Sequence, residues 1–366
     1  MMTTMGTHCR RLFLVIVALG LSLPLMAQEK RSKKLAKSYR LTNAGELHLD
    51  NKYGNVNIYG WDKEELSLTV TITVTHKKKD NAQELLDRIR PVLRNSDNFV
   101  SLSYEIGESS SGFFSQLFEK ANPFDFDRSN IQIDYEVFLP EKAELELANK
   151  FGDVFIEDWN GALQAQVQHG DIWISENLNK ADISLEFGEL RAKNISYGNL
   201  ELKNGGVDMH DSKNLRINSS GSDIEIGQVT SLEFYSNKDE VTIDEAGSIY
   251  GSLKFTSLRL NRLGLDVDMG MKIADFRIDR ITNAKTTITI DQESSEISIN
   301  ISDFPHKFSA ILEEGLVRLP KSFQNVNSEL LDKGKKRREI KATYGKQGQG
   351  KISITGKKGL VLLKEL

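Results

Sequence analysis

The chain has 366 residues, 27% of them charged and 39% hydrophobic, with a formal net charge of −4 at pH 7. A mildly acidic surface of mixed sign argues against nucleic acid as a partner. The single cysteine, Cys9, lies close to the N-terminus, so disulfides, thiol catalysis and cysteine–metal sites are excluded from everything after it.

The first residues have the pattern of a secretory signal, residues 1–27. Arg10 and Arg11 precede an apolar run from Leu12 to Leu21, broken by Ser22 and Pro24, and Leu25-Met26-Ala27 forms a small-residue cleavage site before Gln28. The run is short and is followed at once by Glu29, Lys30, Arg31, Lys33 and Lys34, which predicts no stable membrane span once the signal is cleaved; the alternative is an uncleaved anchor. Cleavage would remove two arginines and no acid, moving the net charge from −4 to −6. The expected location is the periplasm or the outer cell surface.

From residue 45 short alternating segments dominate. Tyr53-Gly-Asn-Val-Asn-Ile58 is followed later by Phe151-Gly-Asp-Val-Phe-Ile156, His169-Gly-Asp-Ile-Trp-Ile174, Phe187-Gly-Glu-Leu-Arg-Ala192, Tyr197-Gly-Asn-Leu-Glu-Leu202 and Tyr250-Gly-Ser-Leu-Lys-Phe255. Glycine permits a tight turn and the polar residue suits its edge. The two apolar residues that follow point the same way, as a period-two strand requires. A step of 18 residues separates the segments at 151, 169 and 187. Later pairs keep the alternation: Val207 and Met209, Ile224 and Ile226, Val241 and Ile243, Val267 and Met269, Phe276 and Ile278. Units of this size cannot bury a face alone, so the pattern predicts an all-β β-solenoid of stacked short strands over 143–300. A β-sandwich or jelly roll is the alternative.

Residues 45–62 align without gaps to residues 143–160, matching Leu47, Asn51, Gly54, Val56, Ile58 and Trp61 to Leu145, Asn149, Gly152, Val154, Ile156 and Trp159. Equivalent strand–turn–strand units are expected, with the tryptophans covering equivalent ends. The N-terminal β segment, 28–142, carries an insertion at 76–129. Its first stretch, Asp80 to Asn95, reads as a helix with Leu85, Leu86, Ile89, Val92 and Leu93 on one side and Pro91 weakening its interior. Strands follow at Phe99–Ile106 and Ile131–Leu139, around a loop with five phenylalanines (Phe113, Phe114, Phe118, Phe124, Phe126). That loop is either an exposed patch for a partner or a short helix tucked onto the solenoid. Residues 301–366 are expected to form a β cap ending in a hairpin set (Glu339–Tyr344, Lys351–Thr355, Gly359–Lys364).

With Tyr135-Glu-Val-Phe-Leu-Pro140 leading into Ala143-Glu-Leu-Glu-Leu147, the glycine-turn repeats and the early Gly60-Trp61-Asp62 segment, the chain resembles the bacterial putative-adhesin family, a domain of unknown function related to head GIN domain proteins. The resemblance covers roughly residues 40–300. It implies a β-solenoid in the cell envelope, and supplies no catalytic residues to carry over.

Chemistry is sparse, and no catalytic residue, metal ligand set or cofactor is predicted. His48, His76, His169, His210 and His306 show no paired spacing, and no phosphate or dinucleotide loop is present. Asp125 and Asp127 lack the spacing of a calcium loop. Asp153, Asp171 and Glu189 recur at one place in successive repeats, and stacking would set them about 4.8 Å apart. Paired carboxylates at about 5–5.5 Å serve glycosidases, but acids and amides also favour that turn edge for its own sake (Asn55 and Asn199 hold it elsewhere). The structural role is favoured. One place on, Phe155, Trp173 and Arg191 would form an aromatic–aromatic–arginine strip suited to a sugar ring or a protein surface. The basic runs Lys77–Lys79 and Lys335–Arg338 have no aromatic platform and read as solvated loops or edge protection. The leading expectation is a non-enzymatic, adhesin-like envelope protein binding a protein or glycan. A periplasmic structural or regulatory module is the second reading, and a polysaccharide-active enzyme the third.

Overall fold

Alternation of apolar and polar residues continues through almost every segment of the structure, a computed structural model that describes residues 29–76, 79–107, 130–346 and 349–366. The expected signal sequence, Asp125 and Asp127, and the five phenylalanines between Phe113 and Phe126 lie outside the described residues. The chain divides into two compact units, the smaller built from the described portions of residues 1–33, 72–89 and 106–132, the larger from the rest. The fold is all-β.

The smaller unit holds the helix Lys79–Arg88, with Ala82, Leu85 and Leu86 buried at helical spacing. Lys33 donates at the helix C-terminus, to Leu86 O at 2.7 Å and to Ile89 O, one residue past the helix, at 2.6 Å, a cation where the helix dipole favours one. The expected helix to Asn95 is corrected: Ile89–Ser96 is a strand. Pro91 has no N–H and would strike the carbonyl four residues back, and it drives Arg90 out of helical geometry.

The larger unit is a parallel β-solenoid whose strands join one hydrogen-bonded sheet; each rung has a short stretch and a longer one on either side of a corner, called the short and the long sheet below. The first sheet is short: Val154, Ile172, Leu190, Val207, Ile224, Val241 and Leu258 stack in register. The second is longer, with Leu145, Leu163, Ala181, Gly198, Leu215, Leu232 and Ile249 in one column. The apolar pairs predicted to face inward, from Val154 and Ile156 to Phe276 and Ile278, are buried with one correction: Leu253 is buried but its expected companion Phe255 is 44% exposed, because the strand ends at Lys254 and Phe255 sits in the turn with a φ of 55°. The step is 18 residues between Ile172 and Leu190 but 17 from Leu190 through Leu258. The change occurs at one corner: Ile174 pairs with Ala192, whereas Asn177 pairs with Asn194. Losing the residue at a corner leaves the inward set of both strands intact.

The turn between sheets explains the glycines. Gly152 has a φ of +143°, and a Cβ there would lie 2.1 Å from the Gly54 carbonyl oxygen. A Cβ on Gly170 would lie 1.9 Å from that of Gly152, and one on Gly188 1.9 Å from that of Gly170. Backbones therefore approach too closely for any side chain. Gly198 and Gly251 do not belong to this column. They fall on the long sheet, opposite Ala181 and Phe234, so the Tyr197 and Tyr250 segments share the motif's letters but not its place.

Both ends of the solenoid contain a rung out of chain order. Strand Glu46–Tyr53 lies between Phe99–Ile106 and Glu144–Phe151. Its pairing, Glu46 with Glu144 through Tyr53 with Phe151, reproduces the gap-free alignment of the sequence. The two similar units are neighbours, with Trp159 fully buried and Trp61 half-buried, its Nε1 donating to Glu65 O at 2.6 Å. At the other end, Gly350–Lys357 and Leu360–Lys364 slot in parallel between Thr287–Asn300 and His306–Arg318. The expected terminal hairpin set is thus corrected: the hairpin is Gln324–Asp332 with Arg337–Tyr344, and the last two strands are an inner rung. Their alternating apolar residues (Ile352, Ile354, Val361, Leu363) fit a slot covered on both sides, and all four are buried.

A candidate binding face on the short sheet

The turn edge of the short sheet is held by a relay of side chains. Asp134 Oδ1 accepts from Asn55 N at 2.9 Å, Asn55 Oδ1 from Asp153 N at 3.0 Å, Asp153 Oδ1 from Asp171 N at 3.0 Å, and Asp171 Oδ1 from Glu189 N at 2.8 Å. Each acceptor bonds the backbone of the next rung. An amide serves at Asn55 as well as a carboxylate serves at Asp153, because only an acceptor oxygen is needed. The ladder Asp153, Asp171, Glu189 therefore has one oxygen of Asp153 and one of Asp171 committed to rung-to-rung bonding.

A second column decorates the same edge. Tyr53, Phe151, His169 and Phe187 stack ring on ring, with centroids 5.8, 5.2 and 4.9 Å apart and planes within 9°, 12° and 2°. His169 and Phe187 reach this geometry through left-handed backbone, with φ of 55° and 57°. His169 is packed between rings.

Two residues beyond the acidic edge, at the next outward position, the structure brings together the three residues of the predicted strip. Phe155 and Arg191 are the register partners of Trp173 on either side. The Phe155 and Trp173 rings stack at 6.2 Å and 19°, and the Arg191 guanidinium carbon lies 4.4 Å over the Trp173 ring. Arg191 also donates to Glu189 Oε2 at 2.7 Å, and that bond pushes its pKa further up from an already high value. Trp173 remains 37% exposed. The strip forms one wall of a shallow depression of about 380 Å³ that also takes in Glu157, Ser175, Lys193, Asp208 and His210. Two carboxylates thus face two cations, so the lining is close to electrically neutral.

The structure also assembles a group that the sequence did not reveal. His48 Nε2 lies 2.5 Å from Glu46 Oε1 and 3.2 Å from Glu146 Oε2, and the edge of Phe99 meets the His48 ring. Among the described residues this is a set of three possible metal ligands within 4.8 Å of one another. The 2.5 Å contact is that of an ion pair or hydrogen bond and is too close for two ligands of one ion. Glu146 is 98 residues from His48 in sequence, so spacing gave no hint of it.

No family model matches the chain, and no curated protein matches it. Solved structures are similar over most of its length. One is a putative cell adhesion protein from Clostridium sporogenes, 13% identical, covering 92% of this chain and 100% of that one, with a TM-score of 0.20. Another is a putative adhesin from Bacteroides fragilis, 13% identical, covering 91% and 97%, with a TM-score of 0.25. A third is a putative adhesin from Parabacteroides distasonis, 10% identical, covering 91% and 97%, with a TM-score of 0.26. No described helix is long and apolar enough to cross a membrane.

Proposed function

We propose that this is an exported, non-enzymatic envelope protein of adhesin type, which binds a neutral glycan in the depression around Trp173. The observation that carries this reading is the stacked, partly exposed pair Phe155–Trp173, extended by Arg191 across three successive rungs. A flat aromatic surface suits the apolar face of a sugar ring, while Glu157, Ser175, Lys193 and Asp208 offer acceptors and donors for its hydroxyls. The balanced charge of the lining favours an uncharged saccharide over an acidic one, because Arg191 already has Glu189 as its partner. The rungs hold these side chains at fixed strand spacing before any ligand arrives, which lowers the ordering cost of binding. The acidic ladder, tied to backbone N–H groups, belongs to the scaffold in this reading, which accounts for a binding site without hydrolysis.

A glycan array probed with the purified protein tests it, followed by titration of a positive glycan into wild type and Trp173→Ala. Loss of an exposed anchor ring should weaken binding at least tenfold, as hot-spot aromatics do, with the far-UV spectrum unchanged. Wild-type affinity in Trp173→Ala would place the ligand elsewhere and end this proposal.

A further inference from the structure

The hairpin Gln324–Asp332 with Arg337–Tyr344 differs in composition from the rest of the molecule. Every residue of strand Gln324–Asp332 is exposed, including Val326 at 56%, Leu330 at 47% and Leu331 at 46%. The strand pairs with Arg337–Tyr344 on one side, and its other edge has no partner strand among the described residues. At the connecting turn and the start of the second strand, Lys333, Lys335, Lys336, Arg337 and Arg338 place five cations in six residues of a chain whose net charge is −4. Lys333, Lys335, Lys336 and Arg337 make no ion pair among the described residues, and Arg338 donates to Ser328 Oγ at 2.8 Å. Leu316, 63% exposed, belongs to the rung whose turn meets this hairpin, where Glu314 N approaches Lys336 O at 3.4 Å.

Edge protection does not explain the cations, because the strand that carries the free edge, Gln324-Asn-Val-Asn-Ser-Glu-Leu-Leu-Asp332, has no lysine or arginine. Asp332, whose Oδ1 accepts from Lys335 N at 3.0 Å, offsets one of these charges; the remaining excess of like charge beside exposed leucines repels itself in solution, and an anionic surface with an apolar interior relieves both conditions. Lysine and arginine stems can lie along the apolar layer while their heads reach phosphates; clusters of four to eight such residues beside a spanning helix or on an amphipathic helix mark anionic-lipid contact, and this hairpin presents the same pairing of cations with apolar side chains on a β scaffold. We infer that this hairpin is a membrane-docking element, which seats Leu330 and Leu331 in the interfacial layer of an anionic bilayer while the 333–338 turn binds the headgroup phosphates. This is independent of the glycan face.

Co-sedimentation of the full chain with phosphatidylcholine vesicles, and with mixed phosphatidylcholine–phosphatidylglycerol vesicles, tests the inference. Binding should require phosphatidylglycerol and weaken with added salt. Lys335→Gln with Lys336→Gln should lower partitioning roughly twenty-five-fold, at about fivefold per cation lost. Leu330→Ser with Leu331→Ser should also lower it, and Leu331→Trp should give a blue-shifted emission with mixed vesicles alone. All these positions are exposed, so thermal unfolding should match wild type. Equal binding to both vesicle types, or binding that neither double variant changes, would overturn the docking role and leave the apolar N-terminal segment as the source of any lipid affinity. Loss on charge removal with no effect of the leucine variants would overturn insertion.

Discussion

Asp239 occupies the turn column that is glycine at positions 170, 188 and 205, and it is 2% exposed. Its carboxylate accepts from Ser219 Oγ at 2.5 Å, Ser236 Oγ at 2.6 Å, Ser222 N at 2.8 Å and Asn237 N at 3.1 Å. Asp239→Ala takes the acceptor from the buried Ser222 N–H and the part-buried Asn237 N–H, at about 1–3 kcal/mol each with the second toward the low end. The two serine hydroxyls lose a further ~1 kcal/mol apiece, partly regained through rotation and through relief of the buried carboxylate. The expected net cost is about 4 kcal/mol. Asp239→Asn keeps one acceptor oxygen for the N–H groups but turns an NH₂ toward the serines, so about 1–2 kcal/mol should be lost. Urea unfolding followed by circular dichroism gives the totals, and amide exchange locates them. Because each rung contacts only its neighbours, protection should fall first between residues 206 and 257. An alanine variant within 1 kcal/mol of wild type, or with exchange raised evenly along the chain, would refute the view that this carboxylate holds the middle rungs together.

Gly170→Ala should cost about 3 kcal/mol or more, since its Cβ would lie 1.9 Å from the Gly152 carbonyl oxygen. Gly270→Ala is its control: the nearest atom is 3.8 Å away, so the change should be neutral or stabilising by up to about 1 kcal/mol. A denaturant midpoint for each checks both, and equal effects would contradict the backbone-approach argument. His306 is 1% exposed, its Nδ1 lies 2.7 Å from Phe304 O, and burial pushes its pKa below the usual 6.5. The unfolded chain therefore binds the proton more readily, so its contribution is complete above about pH 6.5 and is lost as pH falls from there toward the lower folded-state pKa. His306→Leu should show a shallower decline in stability between pH 7 and 5 than wild type, and parallel curves would rule the histidine out. In the acidic relay, Asp171→Asn should retain an acceptor and fold normally, whereas Asp171→Ala should lose about 1–2 kcal/mol by freeing the Glu189 N–H; matching thermal midpoints for the two would count against the relay.

Most inward pairs, the glycine turns at 152, 170 and 188 and the stacking of Phe155, Trp173 and Arg191 were legible because each depends on period two and on a stacking step visible in the letters; the Tyr197 and Tyr250 segments repeat the letters off that step, which misplaced Gly198, Gly251 and Phe255. The 45–62 echo went further: it is the register of two adjacent strands, since residues that stack face to face on parallel strands meet the same environment. The corner deletion after Ile174 was hidden because it shifts the step without disturbing alternation on either side. Pro91 was visible, but its effect on Arg90 outweighed the apolar spacing of Val92 and Leu93, and the helix stopped at Arg88. Partners far apart in sequence left no trace: the Glu46–His48–Glu146 group, the Asn51 Nδ2 bond to Asn149 Oδ1 at 3.1 Å and the slot of residues 350–364 are set by which rungs become neighbours. Asn51 and Asn149 were aligned as a repeat match, yet only contact shows that they bond each other.

The out-of-order rungs govern how the molecule can be assembled and undone. A solenoid laid down in chain order can add turns as they are synthesised and fray from its tip. Here residues 306–318 must wait for residues 350–364 to arrive before they have a neighbour toward the middle of the stack, and residues 46–58 wait in the same way for 144–157. Vectorial delivery across a membrane would therefore release an incomplete stack, closed only when the latest strands thread home. Once closed, neither threaded rung can peel away as a free end, since each is hydrogen-bonded on both sides. A protease or a pulling force acting on those strands has to break the ladders to both neighbouring rungs at once.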